Sequence, residues 1–307
     1  MYLRGPAAWM IAGSFFFAVM AALTHALGTR CGWLAIALCR AVFMFVAAVI
    51  IARASGVKLA VWRPRSLWMR SLAGSFSLVC SFYALTRLPV GDALTLANTY
   101  PLWIIALSWL AARRGPSRGD VARVGCAVAG VALIERPHID AHNLATVVAL
   151  LGSVSTAVAM IGLHRVREVD PRAVVAHFAG VASLVAGTWF VIGGPGGGAA
   201  VPLGGLGAAR IDPVTIALLL GVGITGTIGQ VFLTKAYAAG APARVAVLGL
   251  TQVVFGLFFD VTIWRRSLPP ASLAGMILVI APTAWLVARS GRPKNGGANL
   301  TTPLKSA

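Results

Sequence analysis

Apolar residues are concentrated in ten stretches of helical length, which short polar segments separate. A helix needs about 20 predominantly apolar residues to cross the hydrocarbon core of a bilayer. The pattern predicts crossings over residues 6–27, 33–52, 71–88, 92–112, 121–137, 143–163, 173–192, 213–236, 243–264 and 269–288. We therefore predict an all-α integral membrane protein with ten transmembrane helices. The first stretch is long for a cleaved signal peptide, so we expect it to remain as a helix.

Composition and charge agree with this class of protein. Hydrophobic residues make up 58% of the 307 residues and charged residues only 11%, against about 25% charged residues in soluble domains. Most of the 26 Lys and Arg fall in alternate loops, counting Arg70 with the loop before the third crossing. The positive-inside rule then predicts that both termini are cytoplasmic. Topology explains the net charge of +18 better than nucleic-acid binding, because the basic loops have little aromatic interleaving.

The two halves of the chain carry similar landmarks in the same order. Tyr83 and Tyr237 lie about 150 residues apart, as do Pro89 and Pro242. Five crossings per half make the second copy enter from the opposite side of the membrane, which is the inverted repeat of many secondary transporters. The predicted units are two five-helix repeats and a disordered cytoplasmic tail, over residues 1–140, 141–290 and 291–307.

Two segments of the chain carry a family pattern. The first half contains Tyr83-Ala84 and Pro89, followed by Asn98-Thr99-Tyr100-Pro101. The second half contains Lys-Ala-Tyr-Ala at 235–238, followed by Pro242-Ala243. This arrangement resembles the EamA-type repeat of the drug/metabolite transporter superfamily. The resemblance implies a 5+5 inverted-repeat transporter of small organic metabolites, outward in many members. The chain departs from the family where a Glu often ends the fourth and ninth helices, since Arg pairs stand at 113–114 and 265–266.

Arg40 is the one basic residue well inside a predicted crossing. It lies about seven residues, or about 10 Å, from the nearer end of the second stretch. A cation at that depth costs on the order of 3 kcal/mol unless it faces protein or water. Arg40 is therefore either a clamp for an anionic group of a substrate or a guanidinium satisfied by backbone carbonyls, and the sequence leaves both interpretations open.

Other polar side chains in the predicted crossings are candidates for substrate binding. They are Tyr83, Asn98, Tyr100, Gln230 and Gln252. Pro101 and Pro282 each remove a helical N–H bond and predict helix breaks that free carbonyl groups. The alternative is that the polar side chains only hold helices together and that the prolines only kink them.

Two titratable side chains are candidates for proton coupling. His25 lies in an apolar helix, and an imidazole titrates near neutral pH. Asp260 is the carboxylate that lies well within a crossing. The alternatives are a neutral, hydrogen-bonded histidine and a surface ion pair of Asp260 with Arg265 and Arg266.

The sequence carries no pattern typical of an enzyme or an ATP-driven pump. It contains no catalytic triad, nucleotide loop or metal-ligand cluster, and its four cysteines lack C-x-x-C spacing. We expect no enzymatic activity, cofactor or metal. The hypothesis is a secondary transporter of the inner membrane that moves an anionic or amphipathic metabolite, with efflux as the implied direction. The alternative is a non-transporting scaffold or lipid-handling subunit. Expected partners are the substrate and the bilayer but no nucleic acid, and a homodimer stays open.

Overall fold

The chain folds into helices throughout the part that the structure describes. The computed structural model describes residues 5–27, 30–62, 64–88, 90–112, 117–135, 144–192, 212–263, 265, 267 and 269–290, with no strand among them. The helices are α1 (Pro6–Leu27), α2 (Trp33–Ala54), α3 (Arg65–Arg87), α4 (Val90–Ala97), α5 (Tyr100–Ala112), α6 (Arg118–Glu135), α7 (Leu144–Arg165), α8 (Pro171–Ile192), α9 (Pro213–Ala239), α10 (Pro242–Gly249), α11 (Thr251–Ile263) and α12 (Pro270–Ser290).

Most of these boundaries lie within three residues of the predicted ones, because polar residues punctuate the apolar stretches. The exception is α3, which begins six residues earlier than predicted, at Arg65. The predicted tail over 291–307, the arginine pair at 113–114 and Arg266 lie outside the described residues.

Two predicted crossings are each broken into two helices, α4/α5 and α10/α11. In each break a threonine hydroxyl donates to the carbonyl three residues earlier, from Thr99 to Leu96 at 2.6 Å and from Thr251 to Leu248 at 2.6 Å. Such a hydroxyl offers the backbone an alternative to the regular helical bond. Pro101 follows the first break, but no proline follows the second. A threonine, rather than a proline, is therefore common to both breaks.

The helices pack mainly as four antiparallel pairs, α1 with α9, α2 with α8, α3 with α7 and α6 with α12. If each of the first five predicted crossings is exchanged with its counterpart among the last five, the pair α1/α9 becomes the pair α7/α3. The pairs α2/α8 and α6/α12 each consist of two counterparts and stay the same. This pairing is the one that a two-fold axis between two inverted five-helix units would produce.

Glycines allow the paired helices to approach closely. A Cβ atom on Gly130 of α6 would lie 2.7 Å from the Gly275 carbonyl oxygen of α12, and a Cβ atom on Gly275 would lie 2.5 Å from the Gly130 carbonyl oxygen. Lipid is as apolar as the helix surfaces, so helices in a bilayer associate through close packing of small residues and not through a hydrophobic drive. The α6/α12 pair therefore depends on these two positions.

The helical surface suits a bilayer. Seven segments of the described chain are long and apolar enough to cross a membrane: Pro6–Leu27, Leu34–Ala54, Ala93–Leu110, Leu144–Arg165, Pro213–Ala239, Pro242–Ile263 and Pro270–Ala288. Large apolar side chains cover the outside, with Leu110 exposed by 78% and Leu184 by 73%. The predicted all-α, multi-pass membrane protein is therefore confirmed.

Candidate functional site

A cavity of about 510 Å³ opens at the end of the molecule where α1 begins. We call this end the N-face and the cavity the N-face cavity. It lies between α1, α6, α10 and α12, and its wall includes Ala7, Ser117, Val245, Leu248 and Leu286. Pockets of this volume hold small organic molecules.

The wall of the N-face cavity also carries charged side chains and a tryptophan. Asp120, at the start of α6, forms ion pairs with Arg123 of the same helix and with Arg244 of α10, the latter at 3.6 Å. The Arg123 guanidinium lies 4.2 Å from the ring centroid of Trp285 in α12. Two cations share one carboxylate, so the excess positive charge attracts anions while the aromatic ring offers apolar surface.

Helix α10 separates the cavity from a half-buried tyrosine, Tyr100. Val245 and Leu248 line the cavity, whereas the Tyr100 hydroxyl of α5 donates to the Ala246 carbonyl at 3.4 Å. A Cβ atom on Gly249 would lie 2.8 Å from the same hydroxyl. A single eight-residue helix is thus the wall between the cavity and the interior.

The carbonyl groups at the end of α10 are capped from α1. The Ser14 hydroxyl, which is fully buried, lies 3.2 Å from the Gly249 oxygen and 3.5 Å from the Leu248 oxygen. A buried carbonyl left without a partner costs about 1–3 kcal/mol. Ser14 therefore stabilises the break at the inner end of the cavity.

Arg40 of α2 lies against α9. A Cβ atom on Gly226 would lie 3.0 Å from Arg40 Nε, so the glycine provides the room that the side chain occupies. The Nε atom is buried and has no hydrogen-bond partner. No backbone carbonyl of the described residues satisfies this donor.

Further donors without partners lie on the side of α9 that meets Arg40. Gln230 follows Gly226 by one turn, and Tyr237 follows Gln230 by about two turns, so the three share one side of the helix. The Gln230 Nε2 atom and the Tyr237 hydroxyl are both buried and have no hydrogen-bond partner. We call this side, defined by Gly226, Gln230 and Tyr237, the donor face of α9.

Arg70 is a buried cation that the hydropathy pattern places wrongly in a loop. Because α3 begins at Arg65, Arg70 lies inside the helix and is only 2% exposed. Its guanidinium lies 4.2 Å from the ring centroid of Phe178 in α8, and its Nε atom has no partner. A desolvated cation–π contact returns about 2 kcal/mol, whereas burial of an ion costs several kcal/mol. The one sequence signal is Gly74, one turn later, which leaves room for the guanidinium.

The structure does not gather all the predicted binding residues around one cavity. None of Arg40, Tyr83, Asn98, Tyr100, Gln230 and Gln252 lines the N-face cavity. Arg40 packs against the side of α9 on which Gln230 lies, and Tyr100 lies on the side of α10 that faces away from the cavity. Asn98 uses its amide locally and donates to the Leu94 carbonyl at 2.9 Å, while Tyr83 and Gln252 are half-buried.

The remaining predicted residues lie near helix ends or inside α12. His25 is exposed in the last turn of α1, and Asp260 is half-buried three residues before the end of α11. Pro101 is the second residue of α5, and Pro282 lies inside α12, which continues through it. Among the described residues, no three His, Cys, Asp or Glu side chains are grouped so that they could hold a metal ion.

Comparison with known proteins connects this architecture with transport. Residues 5–136 match the EamA-like transporter family. The chain is 27% identical over 278 residues to a pseudopaline exporter of Pseudomonas aeruginosa, covering 88% of this chain and 91% of that protein. It is also 27% identical to an uncharacterized transporter of Helicobacter pylori, over 70% of this chain and 71% of that protein. A solved crystal structure with 19% identity superposes with a TM-score of 0.77, over 94% of this chain and 100% of the other, which supports the fold.

These results define the chain as a multi-pass membrane transporter and not an enzyme. Residues 5–136 carry an EamA-like transporter domain, and the proteins related to the chain include a named exporter and a solute carrier of family 35. The family resemblance found in the sequence is thereby confirmed.

Proposed function

We propose that the chain exports a small anionic or amphipathic metabolite across the inner membrane by alternating access. In this proposal residues 1–140 and 141–290 are two inverted repeats that cross the bilayer ten times, and the N-face is cytoplasmic. The observation that carries the proposal is the matching pair of broken helices, at Thr99 and at Thr251, within an exchange-symmetric set of helix pairs. Broken helices at a repeat interface are typical of the binding sites of secondary transporters.

The packing supports two units that move against each other. One unit comprises α1 with α9, α10 and α11, which all pack on α1, and the other comprises α7 with α3, α4 and α5, which all pack on α7. The two units meet across a shared apolar core, which includes Leu163 of α7 and Val245 of α10. Polar contacts between them include Tyr100 to the Ala246 carbonyl and His164 Nδ1 to the Tyr237 carbonyl at 2.9 Å. Few bonds have to break when one unit rocks against the other.

The charges support an anionic substrate that enters from the N-face. Arg123 and Arg244 share the single carboxylate of Asp120 at the N-face cavity, and the donor face of α9 leads from that end towards Arg40. In the proposed cycle Arg40 binds the negative group of the substrate near the middle of the membrane. Gln230, one helical turn after the Gly226 position that Arg40 contacts, orients a polar atom of the substrate. The name of the exporter relative supports the outward direction.

Transport by membrane vesicles tests this function. Metabolites that accumulate in a deletion strain and fall in an overexpressing strain identify the substrate, whose uptake is then measured in inside-out vesicles. We expect wild-type vesicles to take up the substrate and Arg40→Met vesicles to lose at least nine-tenths of the rate, because no other cation meets this part of α9. Arg53→Met, at the exposed end of the same helix, is the matched control and keeps the rate.

The same assay decides between transport and a purely structural role. A scaffold or lipid-handling subunit predicts no flux that depends on the chain, in any variant. Flux that survives in Arg40→Met would contradict the assignment of Arg40, and absence of flux from wild-type vesicles for every metabolite that responds to the deletion would contradict the function.

A further inference from the structure

A group of buried and half-buried donors lies behind α10, at the N-face end of the donor face. Its members are Arg70 of α3, Tyr237 of α9 and Tyr100 of α5. Tyr237 is fully buried and Arg70 is 2% exposed. Arg70 and Tyr237 lie against the same end of α7, since a Cβ atom on Gly162 would lie 3.3 Å from the Arg70 backbone and His164 Nδ1 lies 2.9 Å from the Tyr237 carbonyl oxygen. Tyr237 also interacts electrostatically with Arg70 and Tyr100. Three helices that are distant in sequence therefore direct hydrogen-bond donors to one place.

These donors lack acceptors. Arg70 Nε and the Tyr237 hydroxyl have no hydrogen-bond partner within 3.5 Å. The Tyr100 hydroxyl donates to the Ala246 carbonyl at 3.4 Å and lies next to the Tyr237 hydroxyl. Within the described part of the chain, the ion pairs of arginine involve Arg30, Arg123 and Arg244, but not Arg70. The Arg70 guanidinium instead lies over the Phe178 ring, 4.2 Å from its centroid.

A buried ion that has no counter-ion is costly, and buried polar groups in native proteins are nearly always satisfied. The usual structural explanation, a buried salt bridge, does not apply to Arg70. The guanidinium is a planar fork of donors that matches the two oxygens of a carboxylate, and the tyrosine hydroxyls add further donors. An oxyanion from outside the protein matches this arrangement of donors, for which the described residues supply no carboxylate.

We infer that Arg70, Tyr237 and Tyr100 form an anion-binding station, which holds the carboxylate of the substrate between the N-face cavity and Arg40. This inference rests on the proposed transport of an anionic metabolite. Only α10 separates the station from the cavity, since Val245 and Leu248 face the cavity while Ala246 and Gly249 face Tyr100. A displacement of α10 opens the path, and the substrate carboxylate then meets Arg70 before it reaches Arg40.

Thermal unfolding of the detergent-purified protein tests the station. The probe is phenylacetate, an aromatic carboxylate, and its matched control is phenylacetamide, which has the same shape without the charge. A ligand that binds only the folded state raises Tm by mass action. We expect phenylacetate, but not phenylacetamide, to raise the Tm of the wild type by several degrees. Arg70→Met abolishes this rise and Tyr237→Phe reduces it, whereas Arg165→Met, an exposed arginine at the end of α7, keeps it.

The ligand-free proteins supply a second measurement that separates binding from structure. Removal of an unpaired buried cation removes its desolvation cost, so Arg70→Met melts at or above the temperature of the wild type. If Arg70→Met does not fold, the arginine is structural and the inference is wrong. It is equally wrong if Tyr237→Phe keeps the full rise, or if the wild type responds alike to the two probes. If any of these results holds but wild-type vesicles still transport the substrate, the proposed function stands and only the anion-binding station is wrong.

Discussion

Gly130 of α6 and Gly275 of α12 lie back to back, and each occupies the space that a side chain on the other would need. A Cβ atom on either residue would approach the carbonyl oxygen of its counterpart to 2.7 Å or less. The obstacle is backbone and not the end of a flexible side chain, so only a shift of a whole helix relieves it. This contact fixes the distance between the last helix of one proposed repeat and the last helix of the other.

We predict that Gly275→Ala destabilises the protein, because one methyl group has to push α6 away from α12. Overpacking of this kind costs about 1–3 kcal/mol, which lowers Tm by several degrees in a detergent melting experiment. Gly125→Ala on α6 is the matched control, since nothing lies within 4 Å of its Cβ position. There the higher helix propensity of alanine leaves Tm unchanged or raises it. Equal melting temperatures for the two variants would show that the α6/α12 contact is not close.

We predict that Ser14→Ala loosens the break between α10 and α11. The hydroxyl at 3.2 Å from the Gly249 oxygen is replaced by a methyl group, and a buried carbonyl loses a partner at a cost of about 1–3 kcal/mol. Melting of the purified variant measures the loss. Ser183→Ala is the control, because Ser183 donates only to the carbonyl of Ala179 in its own helix. If both variants melt like the wild type, Ser14 does not stabilise the break.

The hydropathy pattern predicts the helices well and the site poorly, for separate physical reasons. Helix ends follow from local punctuation, so even α9 and α12 begin within one residue of prediction. The burial of Arg70 depends on Phe178, more than a hundred residues away in sequence, and on the room left by Gly74. The N-face cavity is formed by the ends of four helices that are not neighbours in the chain. Such long-range packing leaves no periodic trace in a single sequence.

The two helix breaks show the same difference between what local sequence predicts and what only the folded structure reveals. Pro101 is visible in the sequence and predicts an interruption near the start of α5, which the structure places just before that residue. The second break contains no proline, and a threonine in an apolar run is too common to indicate one. The similarity of the two breaks is visible only in the structure, where Thr99 and Thr251 form hydroxyl bonds of equal length.

The ion pair between Arg30 and Asp212 predicts a pH dependence at the end of the molecule opposite to the N-face. Asp212 caps α9 and accepts hydrogen bonds from the hydroxyl and the amide of Thr215. These bonds, together with Arg30 at 2.8 Å, lower the pKa of Asp212 to about 2. An unfolded aspartate titrates near pH 3.9. Because the folded pKa is the lower one, the stabilisation is complete above about pH 4 and is lost as the pH falls towards 2.

Asp212→Asn is therefore expected to melt slightly below the wild type, by the same amount from pH 8 down to pH 5. The effect is small because both side chains are substantially exposed, by 41% and 37%, and added salt reduces it. Asp170→Asn is the control, since Asp170 accepts a bond from the Arg172 amide at the start of α8 without an ion pair. A difference between Asp212→Asn and the wild type that changes between pH 8 and pH 5 would mean that Asp212 titrates much higher.

The last prediction concerns the side of the membrane to which the N-face cavity opens. We start from a variant in which Cys31, Cys39, Cys80 and Cys126 are replaced, and we introduce Ala241→Cys in the cavity wall. A membrane-impermeant maleimide is expected to label this thiol in inside-out vesicles but not in intact cells, because the positive-inside rule predicts a cytoplasmic N-face. The bulky label then blocks flux of the identified substrate by filling the cavity.

Val214→Cys is the matched control, as it is exposed at the other end of α9, the helix that leads into the same cavity wall. It is expected to react in intact cells and to leave transport unaffected. Labelling of Ala241→Cys from outside the cell would reverse the proposed orientation and turn the export hypothesis into import. Labelling of both thiols from the same side would contradict the passage of α9 through the membrane, and with it the ten-crossing arrangement.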